Sequence, residues 1–348
     1  MLDTGEDRIL RKARQLSAKP MQIVETYTRI YLDNMDALGV QRPDISPRAS
    51  AHIPEQIKMI EELIKNENAY EVNGSVYFSV SSHDGYGKLS GRVLEEQEEG
   101  TRIVSRDEKR HPSDFALWKK AEPEHILRWD SPWGEGFPGW HIECSAMAKK
   151  YLGETFDIHG GGIDNIFPHN ECEIAQSEAY ARYWMLAGSL TLDGVKMSKS
   201  LGNTLTIGDA LDKFRPEAIR TFILSSHYGS PIDFSDEALE AANKGWQRIW
   251  GAVTLPRQQL RGADAGETSE AVLALIAKTT AVFEEKMDDD FNAPAALASL
   301  QDFTRQVNSL LNSGEAQTQG SLEAIDALSR KLGGDVLGII PDGVDSNG

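Results

Sequence analysis

The last third of the chain limits its architecture most tightly. Between about residues 236 and 340, four successive segments carry apolar residues at helical spacing: EALEAANKGWQRIWGAV, SEAVLALIAKTTAVFEEKM, APAALASLQDFTRQVNSLL and SLEAIDALSRKL. Short polar links join them, so the pattern predicts an antiparallel helical bundle. One link, RGADAGETS at 261–269, reads as a flexible joint.

Upstream the texture differs. Residues 20–38 place Ile23, Val24, Tyr27, Ile30, Tyr31 and Leu38 near a 3.6 period, which predicts an amphipathic helix with Pro20 in its first turn. Residues 53–66 read as a second helix. GSVYFSV, 74–80, reads as a strand, and 81–134, crowded with Gly, Pro and charge, as an insertion of strands and loops. From 138 to 190, short apolar pieces, glycines and helix-like stretches alternate as in the βα units of a parallel sheet. There TFDIHGGG runs from a strand into a loop, where ligands of open α/β sheets usually sit. A length of 348 residues calls for two or three domains.

Composition narrows the classes of function. No apolar run reaches eighteen residues, and MLDTGEDRILRKAR lacks the apolar stretch of a secretory signal. The two cysteines, Cys144 and Cys172, fit a reducing cytoplasm better than a disulfide scaffold. A net charge of −18 argues against a general polyanion-binding surface. Contact with nucleic acid would need local basic patches, for which Lys244, Arg248, Arg257 and Arg261 are candidates.

Three stretches can carry chemistry. In GGIDNIFPHNECEIAQSE, His169 and Glu173 are four apart, one above the other on a helix beginning near Pro168. With Cys144 from another segment they offer a thiolate, an imidazole and a carboxylate, a set that suits zinc better than calcium or magnesium. The same residues would also serve as a buried cysteine, a helix-capping histidine and a surface glutamate. Cys172 lies about 100° round the helix from Glu173 and points elsewhere. KMSKS, 196–200, sets two lysines and two serines on a loop after a strand, as a triphosphate site or as a solvated basic loop. HGGG, 159–162, lets backbone approach a ligand closely, or simply turns. Trp129 and Trp133 read as core, whereas Trp140, four residues before Cys144, does not.

The wider stretches SPWGEGFPGWHIECSAM, YLGETFDIHGGGIDNIFPHNECEIAQSEA, KMSKSLGN, YGKLSG, PSDFALWK, HYGSPIDFS and DDDFNAPAAL resemble the cysteinyl-tRNA synthetases, a family of class I aminoacyl-tRNA synthetases. The resemblance runs from about residue 6 to about 340. It implies an α/β fold: a class I synthetase Rossmann-like parallel sheet without its first βα unit, a small inserted domain, and an antiparallel helical bundle. The implied domains are a partial catalytic domain at 1–187 with an insertion at about 70–134, a KMSKS signature-loop region at 188–238, a tRNA-binding bundle at 239–341, and a tail at 342–348.

The implied reaction is ATP-dependent activation of L-cysteine, with Mg2+, and its transfer to tRNA(Cys) in the cytoplasm, by a monomer when complete. Cys144, His169 and Glu173 match three of the family's four ligands to a single Zn2+, which binds the thiolate of substrate cysteine. Trp140 and His159 match residues near that cysteine. Gly161, Gly162 and Asp164 match the ATP-binding region around the adenylate. Lys196 and Lys199 match the catalytic signature loop, with Lys199 the one directed at ATP.

The sequence also departs from the family. No HIGH tetrapeptide occurs, and neither does the strand whose cysteine is the fourth ligand. MLDTGED stands where the family reads like NITDIDD, with Asp3 at the place of a substrate-contacting threonine. Asn170, Cys172 and Gly229 replace a histidine, an asparagine and an arginine. A C-terminal extension is also lacking. A truncated chain with little activity of its own is therefore one expectation. A cysteine:amino-sugar ligase, or a non-catalytic zinc- or RNA-binding remnant, are the others.

Overall fold

A hairpin sets the first half of the structure in order. In this computed structural model, which describes residues 8–92, 108–123, 125–177, 180–192, 194–197 and 204–341, strands β1 (Ala69–Val72) and β2 (Ser75–Phe78) are joined by Asn73-Gly74. Both turn residues have positive φ, 53° and 86°, the requirement of a type I′ turn, and Val72 pairs with Ser75 across it. β3 (Phe115–Lys120) and β4 (Gly136–Pro138) complete an antiparallel sheet in the order β1-β2-β3-β4.

Helix α1 (Arg8–Gln15) precedes α2 (Pro20–Ala37), which starts at the expected proline but buries only Pro20 and Ile23. The chain divides into two compact units, 1–30 with 43–186, and 31–42 with 187–348, so α2 contributes to both.

In the first unit, α3 (Ile53–Lys65) and α4 (Trp140–Leu152) pack on the β-sheet. Ile60, Val76, Phe78, Leu117, Trp118 and Ile142 form a core with essentially no exposure. α4 follows β4 after one residue, Gly139. A Cβ there would lie 2.0 Å from the Ala116 carbonyl oxygen, so glycine is what lets the helix start against β3. Next come β5 (Phe156–Gly162), a 3-10 turn (Ile163–Asn165), an irregular turn (Ile166–Asn170) and the short α5 (Glu171–Gln176). β6 (Ala181–Ala187) pairs with β5.

The second unit opens with β7 (Leu190–Leu192), antiparallel to β8 (Val195–Lys196) and parallel to β9 (Ile232–Phe234). α6 (Ile207–Leu211) begins on a capping box of Thr206 and Asp209, and α7 (Pro216–Leu224) on a proline. The predicted bundle follows as α8 (Asp236–Leu260), α9 (Glu270–Asp288), α10 (Ala293–Leu311) and α11 (Gln319–Ser329). Their N-caps are Ser235, Ser269, Asn292 and Thr318, each accepting a backbone N–H. Ile249, Val272, Leu300, Phe303, Val307 and Ile325 fill the centre.

The 261–269 link is pinned rather than free. Thr318 Oγ1 donates to the Glu267 carbonyl, Gln319 N–H to Asp264, and Thr268 Oγ1 to Gly320. Among the described residues no helix is long and apolar enough to cross a membrane.

Phe303 is 1% exposed at the centre of the bundle. Phe303→Ala should cost about 3–5 kcal/mol, read as an earlier midpoint in denaturant unfolding followed by helical signal. A midpoint equal to that of the wild type would show that the bundle does not depend on this core.

Candidate metal and ligand site

Helix α4 presents two faces. Ile142, Ser145 and Ala146 enter the core, while Trp140, Cys144, Met147, Ala148 and Tyr151, at helical spacing, line a cavity of about 670 Å3. His169 and Glu173 reach the same cavity from the turn before α5 and from α5 itself. Helical backbone begins near Pro168, as expected: Phe167 just before it is extended (φ −132°, ψ 131°), as a following proline favours, and an irregular turn through Asn170 leads into regular helix at Glu171. The i,i+4 pair is kept through this turn, with His169 Nε2 3.5 Å from Glu173 Oε1. The ligating atoms of Cys144, His169 and Glu173 all lie within 4.8 Å of one another.

Glu173 is the centre of the polar network. It is fully buried, and four groups converge on its carboxylate: His159 Nε2 at 3.0 Å, Asn170 Nδ2 at 2.8 Å, the Tyr180 hydroxyl at 3.2 Å, and His169. No lysine or arginine pairs with it among the described residues. His169 is held on its other side by His141, Nδ1 to Nδ1 at 2.8 Å, so one of the two rings carries the shared proton. Trp140 stacks on His169 with centroids 4.0 Å apart, and His159 stacks on Trp184 at 4.5 Å.

Burial lowers the pKa of His169 more than Glu173 raises it, which favours the neutral imidazole that binds metals. The Cys144 thiol is pushed up to about 12, first by burial and then by Glu173 and Glu143. A buried carboxylate and a half-buried thiol beside it have little reason to share so small a space unless a cation joins them. The three donors, a thiol, an imidazole and a carboxylate, fit zinc.

A second feature borders the same cavity. β5 ends in Gly160, Gly161 and Gly162, none with positive φ. A Cβ on Gly160 or Gly162 would meet nothing within 4 Å, and one on Gly161 only Asn165 Nδ2 at 3.7 Å. Nothing within the described chain requires three glycines here. Their bareness suits a ligand laid against the strand. Asp164 follows in the 3-10 turn.

The structure thus brings Trp140, Cys144, His159, His169 and Glu173 to one cavity, with the glycines and Asp164 next along the chain. Lys196 ends β8 in the other unit, and Lys199 lies outside the described residues, as does Asp3. Cys172 is fully buried in the core, pointing away as expected, and Trp129 and Trp133 pack against that core. Of the basic candidates on the bundle, Arg257 is committed to Asp326 at 2.5 Å, so it is not an open phosphate contact. Sequence reasoning missed His141 and Tyr180, and met Asn170 only as a departure from the family, without its bond to Glu173. His141 carried a signal, since it stands three residues before Cys144 on the same helix.

Cobalt replacing the metal should give a thiolate-to-metal absorption band in the wild type. Cys144→Ser should abolish that band and weaken binding by at least about tenfold. An undiminished band in the variant would remove Cys144 from the ligand set.

Comparison with known proteins accords with this geometry. The model of the tRNA synthetases class I (C) catalytic domain matches residues 3–244, and that of the DALR domain matches 282–341. A cysteine–tRNA ligase of Deinococcus radiodurans is 53% identical over 98% of this chain and 69% of its own length. Those of Chlorobium luteolum and Thermus thermophilus are 51% and 49% identical, over 98% of this chain and 70% and 71% of theirs. Among solved structures, Mycobacterium tuberculosis methionyl-tRNA synthetase covers 93% of the chain and 79% of its own, with a TM-score of 0.60 at 14% identity. A putative arginyl-tRNA synthetase of Campylobacter jejuni covers 95% and 74%, with a TM-score of 0.56 at 13% identity. These two likenesses concern the fold alone.

Proposed function

The chain belongs to the cysteine–tRNA ligase family of class I synthetases, and on that premise we propose that its cavity selects L-cysteine for ATP-dependent transfer to tRNA. The observation that carries this is the convergence of Cys144, His169 and Glu173 on a cavity bordered by an open glycine strand. Those three residues would hold a zinc ion. Zinc so held would take the substrate thiol as thiolate, in preference to the hydroxyl of serine.

The chain's own residues do the rest. Glu173 is fixed by His159, Asn170 and Tyr180, so its direction does not depend on a mobile side chain. Trp140 covers one face of His169 and limits water at the ligand. The apolar lining of Met147, Ala148, Tyr151 and Ile158 suits a small aliphatic side chain but separates cysteine from serine weakly by itself. The bare backbone of Gly160–Gly162 gives an adenosine phosphate room to lie flat along β5. Attack of the cysteine carboxylate on the α-phosphate then yields cysteinyl-adenylate and pyrophosphate, and the terminal adenosine of tRNA accepts the cysteinyl group. Both steps draw on positioning and charge stabilisation, to which Lys199 contributes on the phosphates.

The tRNA reading outweighs an amino-sugar acceptor because the chain also carries the DALR domain match over its helical bundle. Arg248 lines a groove of about 610 Å3 between α8 and α10, and offers a local basic group of the kind an acidic chain needs, whereas Arg305 in the same groove pairs with Asp302 at 2.7 Å.

Two measurements test this reading. L-cysteine added to the cobalt-loaded chain should change its visible spectrum, whereas L-serine at the same concentration should not. An equal response to both, or to neither, would defeat the assignment of the cavity. In cysteine-dependent ATP–pyrophosphate exchange, Lys199→Ala should lower the rate roughly a hundredfold or more while leaving the cobalt response to cysteine intact. Equal rates would return KMSKS to an ordinary surface loop.

A further inference from the structure

The turn that carries His169 and Glu173 is gripped from behind. Two residues along a helix correspond to about 200° of rotation, so Glu171 faces away from both. It is buried at 1% exposure, and its two carboxylate oxygens accept backbone N–H groups from one loop: Ser90 to Oε1 at 2.6 Å and Gly87 to Oε2 at 3.1 Å. The same two segments meet at three further points. The Tyr86 hydroxyl lies 3.5 Å from Cys172 Sγ, the Tyr86 ring stands edge-on to Phe167 at 6.3 Å, and the Arg92 guanidinium sits over the Phe167 ring at 4.3 Å. The loop is itself closed, since Arg92 N–H donates to the Gly87 carbonyl at 3.1 Å.

α5 has six residues, and the turn before it is irregular. A segment that short does not hold its own geometry. What fixes the spacing of its two ligands relative to Cys144 must come from its neighbours. On the cavity side those neighbours are Glu173's own partners. On the other side stands Glu171, whose charge-assisted bonds are the strongest of the five contacts.

We propose that Glu171 is a positioning residue for the metal site: through the loop Tyr86–Arg92 it sets the distance of His169 and Glu173 from Cys144. The proposal rests on the reading of those three as metal ligands. Because coupling is reciprocal, metal bound on one side of the turn tightens the loop on the other.

The test compares the full chain as wild type, Glu171→Gln, and Val76→Ala. The last removes methyls from the fully buried β2 and controls for general loss of stability. Zn2+ affinity is read by competition with a chromophoric chelator, and site geometry by the Co2+ spectrum. Glu171→Gln should lose about ten- to a hundredfold in Zn2+ affinity and change the shape of the Co2+ bands, while Val76→Ala keeps both. Wild-type affinity and spectrum in Glu171→Gln, or an equal loss in Val76→Ala, overturns the proposal. Should Glu171→Gln fail to fold, hydrogen exchange on the wild type decides. Zn2+ should slow exchange across 86–92, and Cys144→Ser should remove that slowing. Exchange there that ignores bound Zn2+ overturns the proposal alone. A wild type that takes up no Zn2+ overturns the metal reading and the proposal together.

Discussion

A carboxylate that has lost all contact with water must be surrounded by donors, and Glu173 is placed on those terms. Satisfying it requires β5 to supply His159, the irregular turn to supply His169 and Asn170, and the approach to β6 to supply Tyr180. Those groups come from three separate stretches of chain, so the first unit has to close around one oxygen pair. His141 extends the constraint to α4, where Cys144 sits one turn further on. The cavity is the side of this network left without protein atoms.

Much of this was legible in the sequence, for identifiable reasons. Helical periodicity located α2, α3 and the bundle, because those helices are long enough to average over single exceptions. Cys144, His169 and Glu173 were found by residue type and spacing, then weighted by the motifs around them. The resemblance, not the spacing, raised the metal above a helix-capping histidine. The antiparallel sheet was read only in part. β2 was recognised, yet Asn73-Gly74 directly before it announces a hairpin and thereby β1.

Other features could not be read. The anchoring of 261–269 depends on Thr318, Gln319 and Gly320, more than fifty residues away, and a polar, glycine-bearing stretch looks the same pinned or loose. Arg257 read as a free cation because its partner, Asp326, belongs to a different helix. In each case the deciding contact lies far off in the chain, where local pattern has no reach. Glu171 is the instructive case: it sits between His169 and Glu173 in sequence, is acidic like Glu173, and faces the opposite way.

Gly139 has a consequence best put in the language of a mutational scan. It touches no ligand and carries no functional group, so a map of the cavity would omit it. Yet any side chain there would drive the first turn of α4 off the Ala116 carbonyl. That turn begins with Trp140 and leads to Cys144, and a tightly packed interior passes such a shift along instead of absorbing it. Substitutions at this position would score as loss of the site while the site's own residues were untouched. A survey that grouped positions by phenotype would place a silent backbone hinge among the ligands.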